Sequence, residues 1–191
     1  MRIGIRLAVS ALVLASILIS VGAVHALWWS TAEANSRELV AVERRLRVGI
    51  DNVVITGQVD RLERDAAGGA VIVDVKTGST KPAAADVARH PQLGVYQLAV
   101  LLGAFAELGL ADPGGAELVH VGAASGAARA SVQRQRALTT DPDPSWAHAL
   151  VKEVAAGMAG PRFAATVNDG CRMCPASACC PVDQRGRQVT P

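Results

Sequence analysis

The run Thr56 to Gly78, TGQVDRLERDAAGGAVIVDVKTG, constrains this chain more than any other segment. Two apolar, strand-like stretches flank Asp65-Ala66-Ala67-Gly68-Gly69. That composition reverses a chain tightly, because aspartate bonds its own backbone and glycine accepts a positive φ. Folded as a hairpin, the run sets Asp60 alongside the end of the second strand. Side chains two apart on a strand share a face, so Asp74 and Lys76 project together and Val75 is expected to point into the core. Two carboxylates and one ammonium on a rigid hairpin can hold a divalent cation and a water beside a phosphodiester.

The 191 residues are 50% hydrophobic, enough for one core with little room for a second domain. A net charge of +2 leaves the class of partner undecided. Arginine nevertheless clusters near the candidate site, at Arg37, Arg44, Arg45, Arg47, Arg61 and Arg64, where it would suit phosphate contacts or simply line solvated faces. Aromatic residues are only 3%, so no platform for stacking bases is visible.

The amino-terminal segment, residues 1–30, is different in kind. Leu7 to Trp29 contains no Asp, Glu, Lys or Arg, and Trp28 and Trp29 stand where an interfacial belt would lie. The stretch is long enough for a transmembrane helix. It also reads as a signal peptide with Val24-His25-Ala26 at the cleavage site, or as a hydrophobic helix buried in the domain. Arginines on both sides, Arg2 and Arg6 before it and Arg37 and Arg44 after it, leave its orientation open.

The remainder reads as one α/β domain, a mixed sheet flanked by helices. Thr31 to Val42 has helical spacing, with Ser30 or Thr31 as cap and Glu33 placed for a capping box. Arg44 to Ile50, Val53 to Leu62 and Ala70 to Lys76 read as strands. A helix is expected over Ala84 to Leu110, broken near His90-Pro91. Ala116 to Gly122 and Ala128 to Gln135 follow as strands, and Asp143-Pro144-Ser145 opens a helix through Met158. Within the long helix Gln92 and Tyr96 are four apart and share a face, while Leu93, Val100 and Leu101 are expected in the core.

The ordered set Gly57-Gln58-Val59-Asp60-Arg61, Val73-Asp74-Val75-Lys76-Thr77-Gly78 and Gln92-Leu93-Gly94-Val95-Tyr96 resembles the RecB-type branch of the PD-(D/E)XK nucleases. Within that branch it is most similar to the carboxy-terminal nuclease domain of actinobacterial AdnB-like helicase–nucleases. The resemblance covers about Ala34 to the carboxy end. It implies a restriction-endonuclease-like fold cutting DNA ends in recombinational repair. Asp60, Asp74 and the Val75 carbonyl would hold Mg²⁺ or Mn²⁺, Lys76 would act on the attacking water and the phosphate, and Gln92 and Tyr96 would steady the site. Such domains carry a metal-binding histidine on a helix before the first strand. Here that region is the hydrophobic segment, where His25 stands among apolar residues. No G-x-x-x-x-G-K-[ST] loop is present, so a helicase motor would come from another polypeptide.

Residues 31–165 thus form the expected nuclease core, and 166–191 a Cys-rich staple. Cys171, Cys174 and Cys180 make a C-x2-C-x5-C triplet, with Cys179 next to the last. Such clustering favours a metal over disulfides. In iron–sulfur relatives the triplet supplies three ligands of a [4Fe–4S] cluster; four thiolates equally permit Zn²⁺. No cysteine precedes Cys171 to serve as the usual upstream ligand. The expected setting is the cytoplasmic face, with DNA as partner and the membrane as a second partner if residues 7–29 anchor there. The other reading is a truncated, inactive DNA-binding remnant.

Overall fold

Leu46, Val48 and Ile50 are buried while Arg45, Arg47 and Gly49, which alternate with them, are exposed, the period-two signature of a strand with one wet face. In this computed structural model, which describes residues 37–78, 80–121, 130–161 and 165–182, they belong to β1 (Glu38–Ile50). Asp51-Asn52 turns the chain into β2 (Val53–Arg64), with Asp51 at φ 51°, a conformation that a two-residue reversal demands and aspartate tolerates. Residues 38–42, expected to end a helix, instead begin β1. Pairing Glu38 with Arg64 and Leu39 with Glu63 provides a ladder, and Leu39 and Val42 stay exposed, so no apolar helical stripe forms. Residues 31–36 of that expected helix, and the apolar segment 7–29, lie outside the described residues. Among the described residues no helix is long and apolar enough to cross a membrane.

The turn after β2 forms as its composition requires. Asp65 Oδ1 accepts from the amides of Ala67 (2.9 Å) and Gly69 (2.8 Å), and Gly68 takes φ 89°. Strand β3 (Ala70–Lys76) returns antiparallel to β2. The chain then crosses through α1 (Ala84–Val87) and α2 (Pro91–Leu101) to β4 (Pro113–His120), which lies parallel to β3. Strand β5 (Ser131–Gln135) closes the sheet antiparallel to β4, giving the order β1-β2-β3-β4-β5. This is the mixed sheet with helices that the sequence predicts.

The break at His90-Pro91 is real, with Pro91 at the first helical position, where its missing N–H costs nothing. The helix stops at Leu101, short of the expected Leu110, because Gly103 adopts φ 84° and diverts the chain. That diversion drops Phe105 and Leu110 into the core and leaves Leu101 42% exposed, against expectation. Leu62, Ile72, Leu93, Val100 and Leu118 complete the main core beside α2. Each such side chain contributes roughly 1.5–3 kcal/mol on burial. The opposite sheet face holds a smaller cluster of Val71, Val73 and Val119.

The chain divides into two units, Met1–Leu150 and Val151–Pro191. Helix α3 (Trp146–Ala159) starts at the end of the first. The second carries short 3-10 turns at Asp169–Met173 and Ser177–Cys179.

Candidate active site

Strict alternation would place Val59 and Leu62 on opposite faces of β2, yet both are fully buried in the same core cluster. Strand β2 therefore breaks its alternation of faces between them, at Asp60-Arg61. Its partner is irregular at the same level. The β1–β2 ladder passes from Val42–Arg61 to Arg44–Val59, and Glu43, which would face Asp60, sits at φ 49°. On the other side the β2–β3 ladder ends at Arg61–Val73, one position before Asp60 would meet Asp74. The β1–β2 register is the same on either side of its gap, and that ladder's shift lies further along, between Leu39 and Ala41. The Asp60 carboxylate is freed from the ladder and accepts the Val75 N–H at Oδ2, 2.7 Å away.

Asp74 lies on the Ile72 face of β3, at the edge of the main core, and is 4% exposed. Val75 lies on the other face and is only half-buried, a correction to its expected place in the core. Asp74 Oδ1 accepts from Gln92 Nε2 at 2.6 Å, while Gln92 Oε1 accepts from Lys76 Nζ at 2.8 Å. Lys76 Nζ in turn lies 2.7 Å from Asp74 Oδ2, closing a triangle. That last contact is an ion pair whose direction is poor for a hydrogen bond, so Oδ2 is neutralised by charge but has no directed donor. Gln92 Nε2 also reaches the Tyr96 hydroxyl (3.2 Å), which donates to the Gln58 carbonyl at 2.8 Å. The structure thus brings together Asp60, Asp74, Lys76, Gln92 and Tyr96, all five side chains singled out as catalytic from sequence.

Burial pushes the Asp74 carboxyl above its ordinary value, and the Asp60 charge adds to the rise, while Lys76 opposes it. His90, at the cap of α2, lies near enough to feel the charges of Lys76 and Asp74. Burial and the Lys76 charge push its imidazole down, with Asp74 opposing, and its Nδ1 is buried without a hydrogen-bond partner. An amide relay absent from the sequence reading pins this turn. Leu138 N donates to Gln97 Oε1 (2.8 Å), Gln97 Nε2 to Gln135 Oε1 (2.9 Å), and Gln135 Nε2 to the carbonyls of Val87 (2.9 Å) and His90 (3.2 Å). Glutamines inside apolar runs carry no pattern that would have flagged them.

The donors suit a hard divalent cation: two carboxylates on neighbouring strands, one oxygen without a directed donor, and a lysine supplying the compensating charge. Among the described residues no three His, Cys, Asp or Glu side chains are already gathered closely enough to hold an ion. A cation would compete with Lys76 for Asp74 Oδ2.

The expected arginine patch is largely committed elsewhere. Arg37 bonds Glu117 (2.7 Å) and pairs with Glu63 (3.5 Å), and Arg61 pairs with Glu63. Arg44 pairs with Glu107 at 2.6 Å and Arg64 with Glu38 at 3.2 Å. Arg45 and Arg47 stand exposed on β1. In the second unit Cys171, Cys174 and Cys180 are half-buried and Cys179 is exposed; all four thiols are free. The Asn168 N–H donates to Cys171 Sγ at 3.3 Å, while Cys179 Sγ turns to the Ala176 carbonyl, also at 3.3 Å.

A family model described as the PD-(D/E)XK nuclease superfamily matches residues 14–181. Among curated proteins none matches. Twelve solved chains do; one, titled "Crystal structure of SSO0001", is 16% identical, with a TM-score of 0.46 over 95% of this chain and 75% of that one.

Proposed function

Because the chain belongs to the PD-(D/E)XK nuclease superfamily, we propose that it hydrolyses DNA phosphodiester bonds with Mg²⁺ or Mn²⁺ held by Asp60, Asp74 and the Val75 carbonyl. The observation that carries this reading is the closed triangle of Asp74, Lys76 and Gln92 beside a liberated Asp60. When bound, the cation supplies Lewis acidity to the phosphate and lowers the pKa of the attacking water. Lys76, held by Gln92, orients that water and offsets charge building on the phosphate. Tyr96 fixes Gln92 from behind by anchoring on the Gln58 carbonyl.

The finer assignment is a RecB-type, AdnB-like domain that trims DNA ends in recombinational repair on the cytoplasmic side, acting with a helicase. The order of the three motifs supports it. The cysteine triplet Cys171, Cys174 and Cys180 then binds a [4Fe–4S] cluster or Zn²⁺ as a staple, its sulfurs drawn together by the metal. Half-burial of these three against an exposed Cys179 supports that choice of ligands. The family match starts at residue 14, inside the apolar run, which supports reading that run as part of the domain rather than as a membrane anchor.

The second reading, a DNA-binding remnant, is favoured by two observations: Lys76 already pairs with Asp74, and among the described residues no ligand cage is preformed. One experiment separates the two. Protein purified anaerobically is incubated with linear DNA and Mg²⁺ or Mn²⁺, alongside Asp74→Ala and Lys76→Ala. Metal-dependent cleavage lost in both variants is the expected result. A folded wild-type protein that binds DNA and leaves it intact establishes the remnant.

A further inference from the structure

We propose that Gln97 and Gln135 are positioning residues for the reaction: acting through the backbone at the start of α2, they hold Gln92 against Asp74 and Lys76. The proposal rests on the metal-dependent reading above. Both amides are buried, and their hydrogen bonds use every polar group they carry. Gln97 Oε1 accepts from Leu138 N (2.8 Å), while Gln97 Nε2 donates to Gln135 Oε1 (2.9 Å) and to the Arg136 carbonyl (3.1 Å). Gln135 Nε2 donates to the carbonyls of Val87 (2.9 Å) and His90 (3.2 Å), with that of Ala88 at 3.5 Å. An amide has two donor protons and one acceptor oxygen. Turning either amide over would set donor against donor, so the pair has one arrangement.

The carbonyls at the end of this chain are those that the break at Pro91 leaves short. In a continuous helix the amide of residue 91 would donate to the Val87 carbonyl, and proline has no amide hydrogen. The His90 N–H reaches Val87 in a tight turn at 3.1 Å, and Gln135 supplies the second donor. It bonds the cap residue of α2 as well. Edge strand β5 thereby fixes the joint between α1 and α2. Gln92 lies two residues beyond His90, and its side chain has to meet Asp74 Oδ1 at 2.6 Å and Lys76 Nζ at 2.8 Å together. A pivot of about 1 Å at Pro91 would break both contacts, and a displacement of that size can cost about a hundredfold in rate.

A core that only had to be filled would be served as well by two apolar side chains. Replacing both partners of a buried hydrogen bond by apolar groups of like shape is nearly neutral for stability. A fully satisfied buried network instead rigidifies its surroundings and selects one geometry. That is what a site assembled from a strand end and a helix start requires.

The test uses the full chain, linear DNA and Mg²⁺ or Mn²⁺. Gln135→Met and Gln97→Met are made alone and each combined with Gln92→Met, because methionine keeps the length of glutamine and lacks the amide. Circular dichroism melts establish folding. Heteronuclear NMR follows the Gln92 side-chain amide, assigned by its loss in Gln92→Met. The expected result is a folded Gln135→Met whose kcat falls about ten- to a hundredfold while KM stays within about threefold. Its Gln92 amide resonance shifts. In the Gln92→Met background the same substitution costs nothing further, because residues that act as a unit are not additive. Gln97→Met, one link further from the site, gives a smaller loss of the same kind and carries the comparison if Gln135→Met does not fold. Folded variants with the kcat of wild type, or with a loss as large in the Gln92→Met background, overturn the proposal and leave the nuclease reading standing. Failure of both variants to fold also overturns it, since the relay then serves the core alone. A folded wild type that cleaves no DNA overturns the nuclease reading, and the NMR signal then decides the rest: a Gln92 resonance unmoved by Gln135→Met removes the positioning role too, and a shifted one upholds it.

Discussion

Asp74 sits in a place that disfavours its charge. Burial and the neighbouring Asp60 raise its pKa above the ordinary carboxylate value, and Lys76 only partly offsets them. Between the ordinary and the raised value the folded chain binds more protons than the unfolded one. Stability therefore falls as pH rises through that window, and the loss persists above it. Asp74→Asn removes the charge and leaves a side chain of the same shape. Its lost partner is Lys76, whose side chain is 35% exposed, so that ion pair is worth little. The variant should melt at a higher temperature than wild type at pH 7, with the difference closing in acid as wild-type Asp74 takes up its proton. Metal-dependent cleavage should drop about a hundredfold or more, the scale of losing one electrostatic stabiliser of a transition state. Thermal melts at several pH values decide the matter. An asparagine variant that is less stable at pH 7 would show that the pair with Lys76 outweighs burial.

Helix α2 carries Gln92 to the site and packs closely on Trp146 at Gly94. A β-carbon there would overlap the Trp146 ring, which also lies 5.2 Å beneath the Arg89 guanidinium. Gly94→Ala should destabilise the fold by about 1–3 kcal/mol through overpacking. Trp146→Ala in the same chain should remove most of that added cost, because the two residues touch; urea titrations of the single and double variants measure it. Strand β2 pairs with β3 only from Arg61 to Arg64, so residues 44–59 form a two-stranded arm with Arg45 and Arg47 on its wet face. If that face lies along a DNA backbone, Arg45→Ala and Arg47→Ala weaken binding to all sequences alike. Each should lower the slope of log affinity against log salt by about 0.7–0.9. An unchanged slope would exclude the arm from the interface. Features set by neighbours in the chain were legible in the sequence: the Asp65–Gly69 turn, the strand alternation, the break at Pro91 and the five side chains of the site. Features set by pairing were not. The break in alternation at Asp60 belongs to the pairing of the strands, and Arg37 finds Glu63 and Glu117 only once the sheet forms, 26 and 80 residues away.

At the scale of the molecule, the Val151–Pro191 unit is small for what it must hold together. Chains of about 40 residues seldom fold without a metal, disulfides or a partner. Among its described residues Val154, Met158, Val167 and Met173 are exposed and all four cysteines are free thiols. The nuclease core of the first unit, by contrast, has a dense apolar interior from Leu46 to Leu118. If a cluster or Zn²⁺ staples the second unit, its folding free energy is largely metal-binding free energy, and removing the ion unfolds that unit alone. Calorimetry of anaerobically purified protein should then show two transitions, and a strong chelator should abolish one while sparing the other. Trypsin gives an independent reading, because exposed Arg172 lies between Cys171 and Cys174. Cleavage there should be slow with the metal bound and fast after chelation, as the ligands on either side release the backbone. Thermograms and digestion rates that chelation leaves unchanged would mean that the cysteines hold no ion and that the short turns around Asn168 stand unaided.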